Sequence, residues 1–578
     1  MSAADTSSDA STRDAGTQSA RRGNRSPYLP KGRQLEERAV DEVRSLLGGR
    51  PRRRDLLIEH LHLIQDRFGH VSAAHLAALA DEMGLAMTEV YEVATFYHHF
   101  DVVKEGETAP AKLTVRVCDG IACEMRGAKG LIEELAARYG AGSDVRVVHA
   151  PCVGACDRAP VAVVGQRQVF GADAAMVAGA IDAGDTTQPL PDYKDYAAYV
   201  AGGGYAVLGD CISGKRSRAD VIQAVDGSGL RGLGGAGFPT ARKWGFLKDA
   251  PKPRLVAINA DEGEPGTFKD RYCFETDPHR VIEGALIAAW AVEASAVYIY
   301  LRDEYPAVRA LLEAEIARVL EEGINGGIEV HLRRGAGAYI CGEESAMLES
   351  IEGKRGLPRN RPPFPAQAGL FGRPTLINNV ETMYWIAGIV ANGPDWYQGQ
   401  GRPHFFSVSG RVKRPGVVLA PAGTTVRQLI DEHCGGMEDG HAFAAYLPGG
   451  ASGGILPASL GDEPLDFGTL DKHGCFIGSS AVVVFSEADA ISDICRNLIH
   501  FFEYESCGQC TPCRVGCEKM LKLIAEPTWD AALLRELSDA MRDASICGLG
   551  QAAPNPVLSA LRFFGQGQSK ANSQEDRK

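Results

Sequence analysis

The stretch that decides the fold runs from Gly229 to Asp270: GLRGLGGAGFPTARKWGF, then a strand-like LVAIN, then ADEGEPGTFKD. Its first part is a glycine-rich loop followed by Lys243. Because glycine lacks a Cβ, its backbone N–H can approach a phosphate or a flat ring closely. In the last part, the carboxylates of Asp261, Glu262 and Glu264 can accept hydrogen bonds from ribityl, ribose or ring N–H groups. The stretch therefore predicts a cofactor that carries a phosphate and a ring.

The spacing Gly232-x-Gly234-x-x-Gly237 matches the dinucleotide-binding fingerprint, but its context does not. That fingerprint follows a strand directly, whereas the preceding ADVIQAVDGSGL has the pattern of a helix and a turn. We therefore predict an α/β domain that is not a standard Rossmann fold. The glycines form either a cradle for a phosphate or ring, or a plain tight loop.

Two further segments supply polar groups for the same ligand. GAGAYICGEES carries a glycine and two glutamates after a strand-like piece, and PTLINNVET carries two asparagines and a threonine at a predicted helix start. A helix N-terminus with amide and hydroxyl donors binds phosphate well. Between them, Arg361 and Phe364 offer a cation and a ring that suit a dinucleotide's pyrophosphate and adenine. The polar residues are Gly342, Glu343, Glu344, Asn378, Asn379 and Thr382.

The chain has fifteen cysteines, an odd number, and no export signal, which argues against a disulfide framework. Two groups of four have the spacing of metal ligands. We expect the other cysteines to be buried structural thiols. These are Cys211, Cys273, Cys341, Cys434, Cys475, Cys495 and Cys517.

The first group is Cys118-x4-Cys123 and Cys152-x3-Cys156, each pair directly after a predicted strand of a small α/β unit of thioredoxin-like size. Thiolates placed in this way converge, as a [2Fe–2S] cluster held by four cysteines requires. A structural zinc site is the alternative, although zinc knuckles more often use C-x2-C pairs.

The second group is Cys507-x2-Cys510-x2-Cys513 with Cys547 further along, in a helical region. Three cysteines with two-residue gaps and one distant fourth indicate a [4Fe–4S] cluster. Zinc rarely uses such a triplet. Cys517 lies one helical turn beyond Cys513 and is not expected to be a ligand.

Charge and hydropathy exclude several classes. The formal net charge is −13, which argues against nucleic acid as the main partner. The sequence has no run of about 18 apolar residues, so we expect no membrane span. The N-terminal region has no apolar segment of a secretory signal, and a cytoplasmic location is expected.

A chain of 578 residues is too long for one core. We predict a multidomain α/β and α+β protein in which an N-terminal helical bundle precedes a thioredoxin-like domain. His60 and His62 in this bundle are expected to be core or surface residues, since no third metal ligand lies nearby. The predicted units are a disordered tail over 1–35, the helical bundle over 36–100, the thioredoxin-like [2Fe–2S] domain over 101–185, a linker over 186–205, the cofactor-binding α/β domain over 206–402, a β-grasp-like domain without evident chemistry over 403–489, a C-terminal helical bundle with the [4Fe–4S] cluster over 490–565, and a disordered tail over 566–578.

The motifs GLGGAGFPTARKW, NADEGEPGTFKD, GAGAYICGEESA, PTLINNVET, ESCGQCTPCR and SICGLG resemble the NADH-binding flavoprotein subunit of respiratory complex I. Residues 36–185 resemble the separate thioredoxin-like [2Fe–2S] subunit of that enzyme, here fused in front. The fusion order, the tail lengths and the segments PRRRDLLIEHLHLIQDRFG and PGGASGGILPASL resemble the beta (diaphorase) subunit of soluble NAD-linked formate dehydrogenases that use molybdenum or tungsten. All eight cluster cysteines match, whereas fused hydrogenase diaphorase subunits often lack some of the N-terminal ones.

The resemblance implies two cofactor sites. Relatives commonly have Lys at the position of Arg361, which keeps the positive charge but changes its geometry. The implied FMN-binding residues are Gly232, Gly234, Gly235, Lys243, Asn259, Asp261, Glu262, Tyr339, Gly342, Glu343, Asn378, Asn379 and Thr382. The implied NAD-binding residues are Phe238, Phe246, Glu264, Glu344 and Phe364, with Arg361 on the pyrophosphate.

The implied function is that of a diaphorase. NADH gives up two electrons as a hydride, iron–sulfur clusters accept one at a time, and a flavin between them can do both. No side chain need act as nucleophile or acid. Glu264 and Glu344 are expected to favour NAD over NADP by binding ribose hydroxyls.

The implied partner is a large molybdenum- or tungsten-pterin formate dehydrogenase subunit with further iron–sulfur clusters. The alternatives are a hydrogenase or complex I-like partner and, remotely, a non-catalytic zinc-binding scaffold. The sequence shows no candidate pterin-binding or formate-binding site in this chain.

Overall fold

The computed structural model describes residues 33–140 and 142–565. The predicted disordered tails, apart from residues 33–35, lie outside these ranges. Among the described residues, no helix is long and apolar enough to cross a membrane.

The first unit consists of four packed helices. On the second helix, Leu57, Leu61 and Ile64 share one face and are buried, as the helical spacing predicts. Ser72 caps the third helix by accepting the N–H of His75 at 3.1 Å, and Gly84 ends it in the left-handed conformation. The helices are α1 Glu37–Leu47, α2 Leu57–Phe68, α3 Ala73–Met83 and α4 Met87–Phe96, and the two short parallel strands beside them are β1 Val71–Ser72 and β2 Val102–Val103.

The second unit is a four-stranded sheet with three helices, as predicted for a thioredoxin-like domain. Its strand order is β4-β3-β5-β6, in which β3 is parallel to β4 and antiparallel to β5. Strands β5 and β6 form an antiparallel hairpin. The elements are β3 Leu113–Cys118, α5 Ile121–Glu124, α6 Ala128–Arg138, β4 Val145–Ala150, β5 Val161–Val164, β6 Arg167–Phe170 and α7 Ala174–Asp182.

The segment predicted to be a linker is not simply extended chain. It contains α8 Tyr196–Ala201, and two of its tyrosines are buried. The hydroxyl of Tyr199 and the N–H of Tyr205 both donate to the Glu283 carboxylate, at 2.6 and 3.0 Å. The second half of this segment therefore packs as part of the central unit, a long-range contact that its composition did not indicate.

The central unit is a parallel sheet of strand order β10-β7-β8-β9, covered by helices on both faces. The glycine-rich loop follows helix α10, not a strand, as the sequence predicts. One prediction is wrong: Tyr339–Gly342, expected to be strand-like, forms one turn of 3-10 helix. The elements are α9 Ala206–Ile212, α10 Arg218–Ser228, α11 Thr240–Gly245, β7 Arg254–Ala260, α12 Lys269–Thr276, α13 Pro278–Ala291, β8 Ala294–Leu301, α14 Pro306–Glu321, β9 Glu329–Arg334, α15 Glu344–Ile351, α16 Pro365–Ala368, β10 Thr375–Asn379, α17 Val380–Asn392 and α18 Pro394–Gly399.

The fourth unit is a five-stranded mixed sheet with the order β12-β11-β15-β13-β14. Its first and last strands, β11 and β15, are parallel neighbours, and the other pairs are antiparallel. The elements are β11 His404–Gly410, β12 Gly416–Ala420, α19 Val426–Gln428 continued by a π turn at Leu429–His433, β13 Phe443–Leu447, β14 Leu456–Pro457 and β15 Ala481–Ser486.

The last unit is helical, as predicted. Its amphipathic helices bury Leu498, Phe502, Met520 and Leu534 between them. The helices are α20 Ile491–Tyr504, α21 Thr511–Ile524, α22 Ala531–Ala544, α23 Gly548–Ala552 and α24 Asn555–Phe563.

Gly284 allows α13 and α17 to touch, and this contact yields a stability prediction. A Cβ on Gly284 would lie 2.0 Å from the carbonyl oxygen of Met383. We expect Gly284→Ala to lower stability by about 1–3 kcal/mol, since the helices would have to separate. Scanning calorimetry would measure a lower unfolding midpoint. The control is Gly209→Ala on α9, where a Cβ meets nothing within 4 Å and helix propensity improves. Equal midpoints for the two variants would contradict the prediction.

Candidate functional site

A large cleft opens at the carboxyl ends of β7 and β10. These strands are neighbours in register, with Asn259 opposite Asn379. Ligands of parallel α/β sheets bind outside the carboxyl ends of the strands. The cleft consists of a cavity of about 840 Å³ and an adjoining one of about 580 Å³, which share Gly234, Asn259 and Gly342 in their walls.

The cleft walls include all the residues predicted for FMN and NAD except Thr382. Thr382 is fully buried, and its hydroxyl oxygen accepts the N–H of Leu233 at 2.9 Å. It therefore holds the glycine-rich loop from behind and does not face the cleft.

The glycine-rich loop lies against the start of α17. A Cβ on Gly234 would come within 2.8 Å of the Asn379 Cβ, and one on Gly237 within 2.4 Å of the Phe467 ring. Gly237 also has a φ of +62°. The close approach explains why glycine is required at these two positions.

The acidic turn after β7 carries an unpartnered acceptor. Asn259 donates to the Gly342 carbonyl at 2.8 Å and accepts the N–H of Asp261 at 3.1 Å, which fixes the turn. Burial raises the pKa of the Asp261 carboxyl well above its usual range. Its Oδ2 and the Asn378 Nδ2 are buried and have no hydrogen-bond partner among the described residues. A buried acceptor and a buried donor in the cleft wall fit a ring-bearing, phosphate-bearing cofactor.

Glu262 lines the same cleft, but protein donors engage both of its oxygens. It accepts the backbone N–H groups of Asp270 and Arg271 at 2.7 and 3.0 Å and the hydroxyl of Tyr305 at 2.9 Å. Burial raises the pKa of Glu262 to about 7. Its carboxylate positions the acidic turn.

The fourth unit, predicted to be β-grasp-like and without evident chemistry, contributes to the cleft. The N–H of Ser452 donates to Glu264 at 2.7 Å, and the hydroxyl of Tyr339 donates to the other Glu264 oxygen. Phe476 and Gly478 also line the cleft. These long-range contacts leave no local pattern in the sequence.

The outer part of the cleft combines cations, carboxylates and exposed rings. Lys243 lies 3.4 Å from Glu344, and Arg361 contacts both Glu343 and, at 3.2 Å, Glu344. Phe238, Phe246 and Phe364 are 37, 53 and 52% exposed. Large exposed rings beside cationic side chains suit a flat, anionic ligand.

A buried charge cluster in the wall of the cleft was not predicted from the sequence. The Lys269 ammonium is fully buried, 2.9 Å from Asp270 and 2.9 Å from Glu381. Burial opposes its charge, but the two carboxylates outweigh that effect and raise the pKa of Lys269. Asp270 in turn accepts the side-chain amide of Asn379 at 2.6 Å. In the sequence, the only local sign of this cluster was the adjacent charged pair Lys269 and Asp270, and such a pair usually lies on a solvated surface.

The four N-terminal cysteines are buried and close together. The Sγ atoms of Cys152 and Cys156 are 3.3 Å apart. A Cβ on Gly120 would lie 3.3 Å from the Cys152 Cβ and 3.5 Å from the Cys118 Sγ, so the two loops meet there. Cys123 lies in α5 beside them. This all-thiol donor set fits a [2Fe–2S] cluster.

Three of the C-terminal cysteines lie at helix starts, and Cys507 lies in the loop between α20 and α21. Cys510 precedes α21, Cys513 is in its first turn, and Cys547 precedes α23. A Cβ on Gly550 would lie 2.8 Å from the Cys513 Cβ, which brings the Cys547 segment to the triplet. The seven scattered cysteines, Cys517 included, are buried as expected. The donor set fits a [4Fe–4S] cluster.

Family models match each of these units. Residues 43–184 match the thioredoxin-like [2Fe–2S] ferredoxin model, residues 225–388 the Nuo51 FMN-binding domain, residues 405–456 the SLBB domain, and residues 493–569 the NADH-ubiquinone oxidoreductase-F iron–sulfur binding region. The chain therefore carries FMN-, [2Fe–2S]- and [4Fe–4S]-binding domains.

Relatives cover most of the chain. An NADH-quinone oxidoreductase subunit of Rhizobium meliloti (strain 1021), the second of its two F-type subunits, is 42% identical over 395 residues, 65% of this chain and 94% of the relative. The corresponding NADH-quinone oxidoreductase protein of Aquifex aeolicus is 40% identical over 387 residues, 63% of this chain and 88% of the relative. The structure of an NAD+-reducing [NiFe]-hydrogenase in the H2-reduced state includes a chain that is 32% identical, with a TM-score of 0.78 over 90% of this chain and 94% of that one. The chain belongs to the family of FMN- and NADH-binding flavoproteins that includes the F-type subunits of NADH-quinone oxidoreductase, with a thioredoxin-like [2Fe–2S] domain fused in front.

Proposed function

We propose that this chain is the diaphorase subunit of a larger redox assembly, in which it exchanges electrons between NAD(H) and iron–sulfur clusters through FMN. The observation that carries the proposal is that both cysteine sets connect to the walls of one cleft. Arg302 donates to the Cys152 carbonyl at 2.7 Å and to the Glu262 carbonyl at 2.5 Å. On the other side, the N–H of Tyr339 donates to Glu505, two residues before Cys507, at 2.9 Å.

The inner and outer parts of the cleft suit different ligands. We assign the part of the cleft around the glycine-rich loop, Lys243 and the unpartnered groups of Asp261 and Asn378 to FMN. We assign the outer part, with its exposed rings and Arg361, to the nicotinamide dinucleotide. FMN, when bound, exchanges an electron pair with the nicotinamide and single electrons with the clusters. The protein's part is to hold the two rings in contact and to exclude water.

The similar proteins favour a complex I-like or hydrogenase partner, since the relatives are quinone oxidoreductase subunits and the solved neighbour is an NAD+-reducing hydrogenase. A formate dehydrogenase partner with molybdenum or tungsten is the second candidate. The complete set of four N-terminal cysteines supports it.

The proposal is tested on the purified full-length chain. We expect bound FMN, the electron paramagnetic resonance signals of two reduced clusters, and NADH-dependent reduction of ferricyanide. A protein without FMN, or with zinc in place of iron, would overturn it. Co-purification from the native source then separates the partners: nickel indicates a hydrogenase, molybdenum or tungsten a formate dehydrogenase, and neither metal together with quinone reduction a complex I-like assembly.

The unpartnered oxygen of Asp261 yields a prediction about FMN retention. We expect Asp261→Leu to raise the dissociation constant for FMN about 10- to 100-fold, because a buried ring N–H would lose its acceptor. Asp261→Asn keeps a side-chain oxygen and should have a smaller effect. Flavin fluorescence during dialysis measures both variants. Equal FMN affinity in wild type and Asp261→Leu would remove Asp261 from the site.

Glu344 yields a prediction about coenzyme choice. The Glu344 carboxylate repels a 2′-phosphate placed near it. Glu344 also forms ion pairs with Lys243 and Arg361, so these cations are not free to bind that phosphate. We expect Glu344→Gln to lower the NADH/NADPH ratio of kcat/KM about 5-fold or more, since one exposed charge contact is worth about 1 kcal/mol.

The matched control for this prediction is Glu349→Gln on the same helix. Glu349 pairs with Arg359 at 2.5 Å and with Lys354 at 3.4 Å and is not part of the cleft wall. Steady-state kinetics should give it the wild-type ratio. An unchanged ratio for Glu344→Gln would exclude Glu344 from coenzyme selection.

A further inference from the structure

Two histidines and an aspartate converge where the N-terminal helices meet the central sheet. The candidate ligand atoms of His62, Asp66 and His99 all lie within 4.8 Å of one another. His62 and Asp66 are one turn apart on α2, so they share a face, and His99 follows α4. The sequence-based expectation that His62 has no further ligand nearby is therefore wrong. The missing ligand comes from a distant segment.

Each histidine already has a partner on one ring nitrogen. His62 Nε2 lies 2.8 Å from the Gly335 carbonyl oxygen, and His99 Nδ1 lies 2.7 Å from Asp303. The other nitrogens, His62 Nδ1 and His99 Nε2, are buried without a hydrogen-bond partner in the described chain. A metal-binding histidine usually gives its second N–H to a carbonyl or a carboxylate in this way, which leaves a lone pair for the metal.

The burial of His62 favours the metal-binding form. The residue is 2% exposed, and its Nδ1 is shielded from water as well as from protein donors. If only apolar groups faced the cluster, the buried His62 Nδ1 and His99 Nε2 would have no hydrogen-bond partner, which is unfavourable. A cation with affinity for imidazole satisfies both.

The surrounding charges provide a carboxylate ligand and its support. Asp66 is held by Arg334 through contacts of 2.5 and 3.2 Å, and Arg334 also contacts Asp303 at 2.5 Å. Ligating carboxylates are commonly hydrogen-bonded in this manner. Asp66 and Asp303 thus both face Arg334, and Arg309 lies nearby.

A cavity adjoins the cluster on the His99 side, although His62 and Asp66 do not line it. His99 and Asp303 line a cavity of about 230 Å³. Two imidazole nitrogens and one carboxylate oxygen, with water in a fourth position, are a ligand set that suits Zn²⁺. Tetrahedral zinc needs ligand atoms about 3.3 Å apart, so the three side chains must draw inward from their present separation.

We propose that His62, Asp66 and His99 form a zinc site that fastens α2 and the segment after α4 to the ends of β8 and β9. The ligands come from the N-terminal unit, and their supporting partners Gly335, Asp303 and Arg334 come from the central unit. Zinc therefore links the two units, at a site that is separate from the cysteine sites. Because binding requires the assembled junction, zinc stabilises it.

The test uses the full-length protein with its iron and flavin in place, dialysed against ZnCl2 and then against metal-free buffer. We expect about one zinc per chain in the wild type by mass spectrometry, and loss of most of it in His99→Gln and Asp66→Asn. Asp66 is partly exposed, so its variant should keep the fold, and unchanged iron and FMN contents verify this.

The matched control is His60→Asn. His60 is on the same helix, is buried, contacts the Pro51 carbonyl at 3.0 Å and also has an unpartnered Nδ1, but it has no convergent ligands among the described residues. It should keep the zinc. X-ray absorption should show nitrogen and oxygen neighbours at about 2.0 Å and no sulfur at about 2.3 Å. Equal zinc in the wild type and His99→Gln, equal loss in His60→Asn, or a sulfur shell would overturn the proposal.

Discussion

The buried ion cluster of Lys269, Asp270 and Glu381 is the constraint on which the cleft depends. An ammonium removed from water remains charged only if carboxylates compensate it, and here two do so at 2.9 Å. Each carboxylate also binds a second element. Asp270 holds the Asn379 amide at 2.6 Å, and Glu381 accepts the N–H of Phe405 at 2.8 Å. One cluster thus joins the end of the acidic turn, the start of α17 and the first strand of the β-grasp-like unit.

The same logic applies to the arginines that join the thioredoxin-like unit to the cleft. Arg271 and Arg302 are both buried, and both donate to backbone carbonyls of the Cys152–Cys156 loop, at Gly154 and Cys152. Their remaining contacts are to the acidic turn or to neighbouring carboxylates. Since a guanidinium has several donors in a fixed plane, one side chain can fix two loops at once. The position of the first cysteine set relative to the cleft is therefore rigidly defined.

Local features of the fold were predictable because their causes are local. The cap at Ser72, the end at Gly84 and the helix before the glycine-rich loop each follow from a few neighbouring residues. The cysteine spacings likewise indicated the two iron–sulfur clusters without reference to distant residues. The sequence could not show the role of a residue whose hydrogen-bond partners lie far along the chain. Glu262 and Thr382 carry the polar groups expected of cofactor ligands, but protein groups engage them.

The contacts between the fused N-terminal units and the central unit have a functional consequence. A Cβ on Gly154 would overlap the Tyr305 ring, and one on Gly353 would lie 2.0 Å from the Arg54 carbonyl oxygen, so at both junctions a glycine lies directly against the neighbouring unit. Arg333 and Arg334 add ion pairs to Asp55 and Asp66 of the N-terminal unit, at 2.8 and 2.5 Å. Interfaces between domains of one chain are often loose enough to permit motion. Glycines that admit close approach, together with these two arginine pairs, oppose such motion and so favour a fixed distance between an electron carrier on one unit and a cofactor on the other.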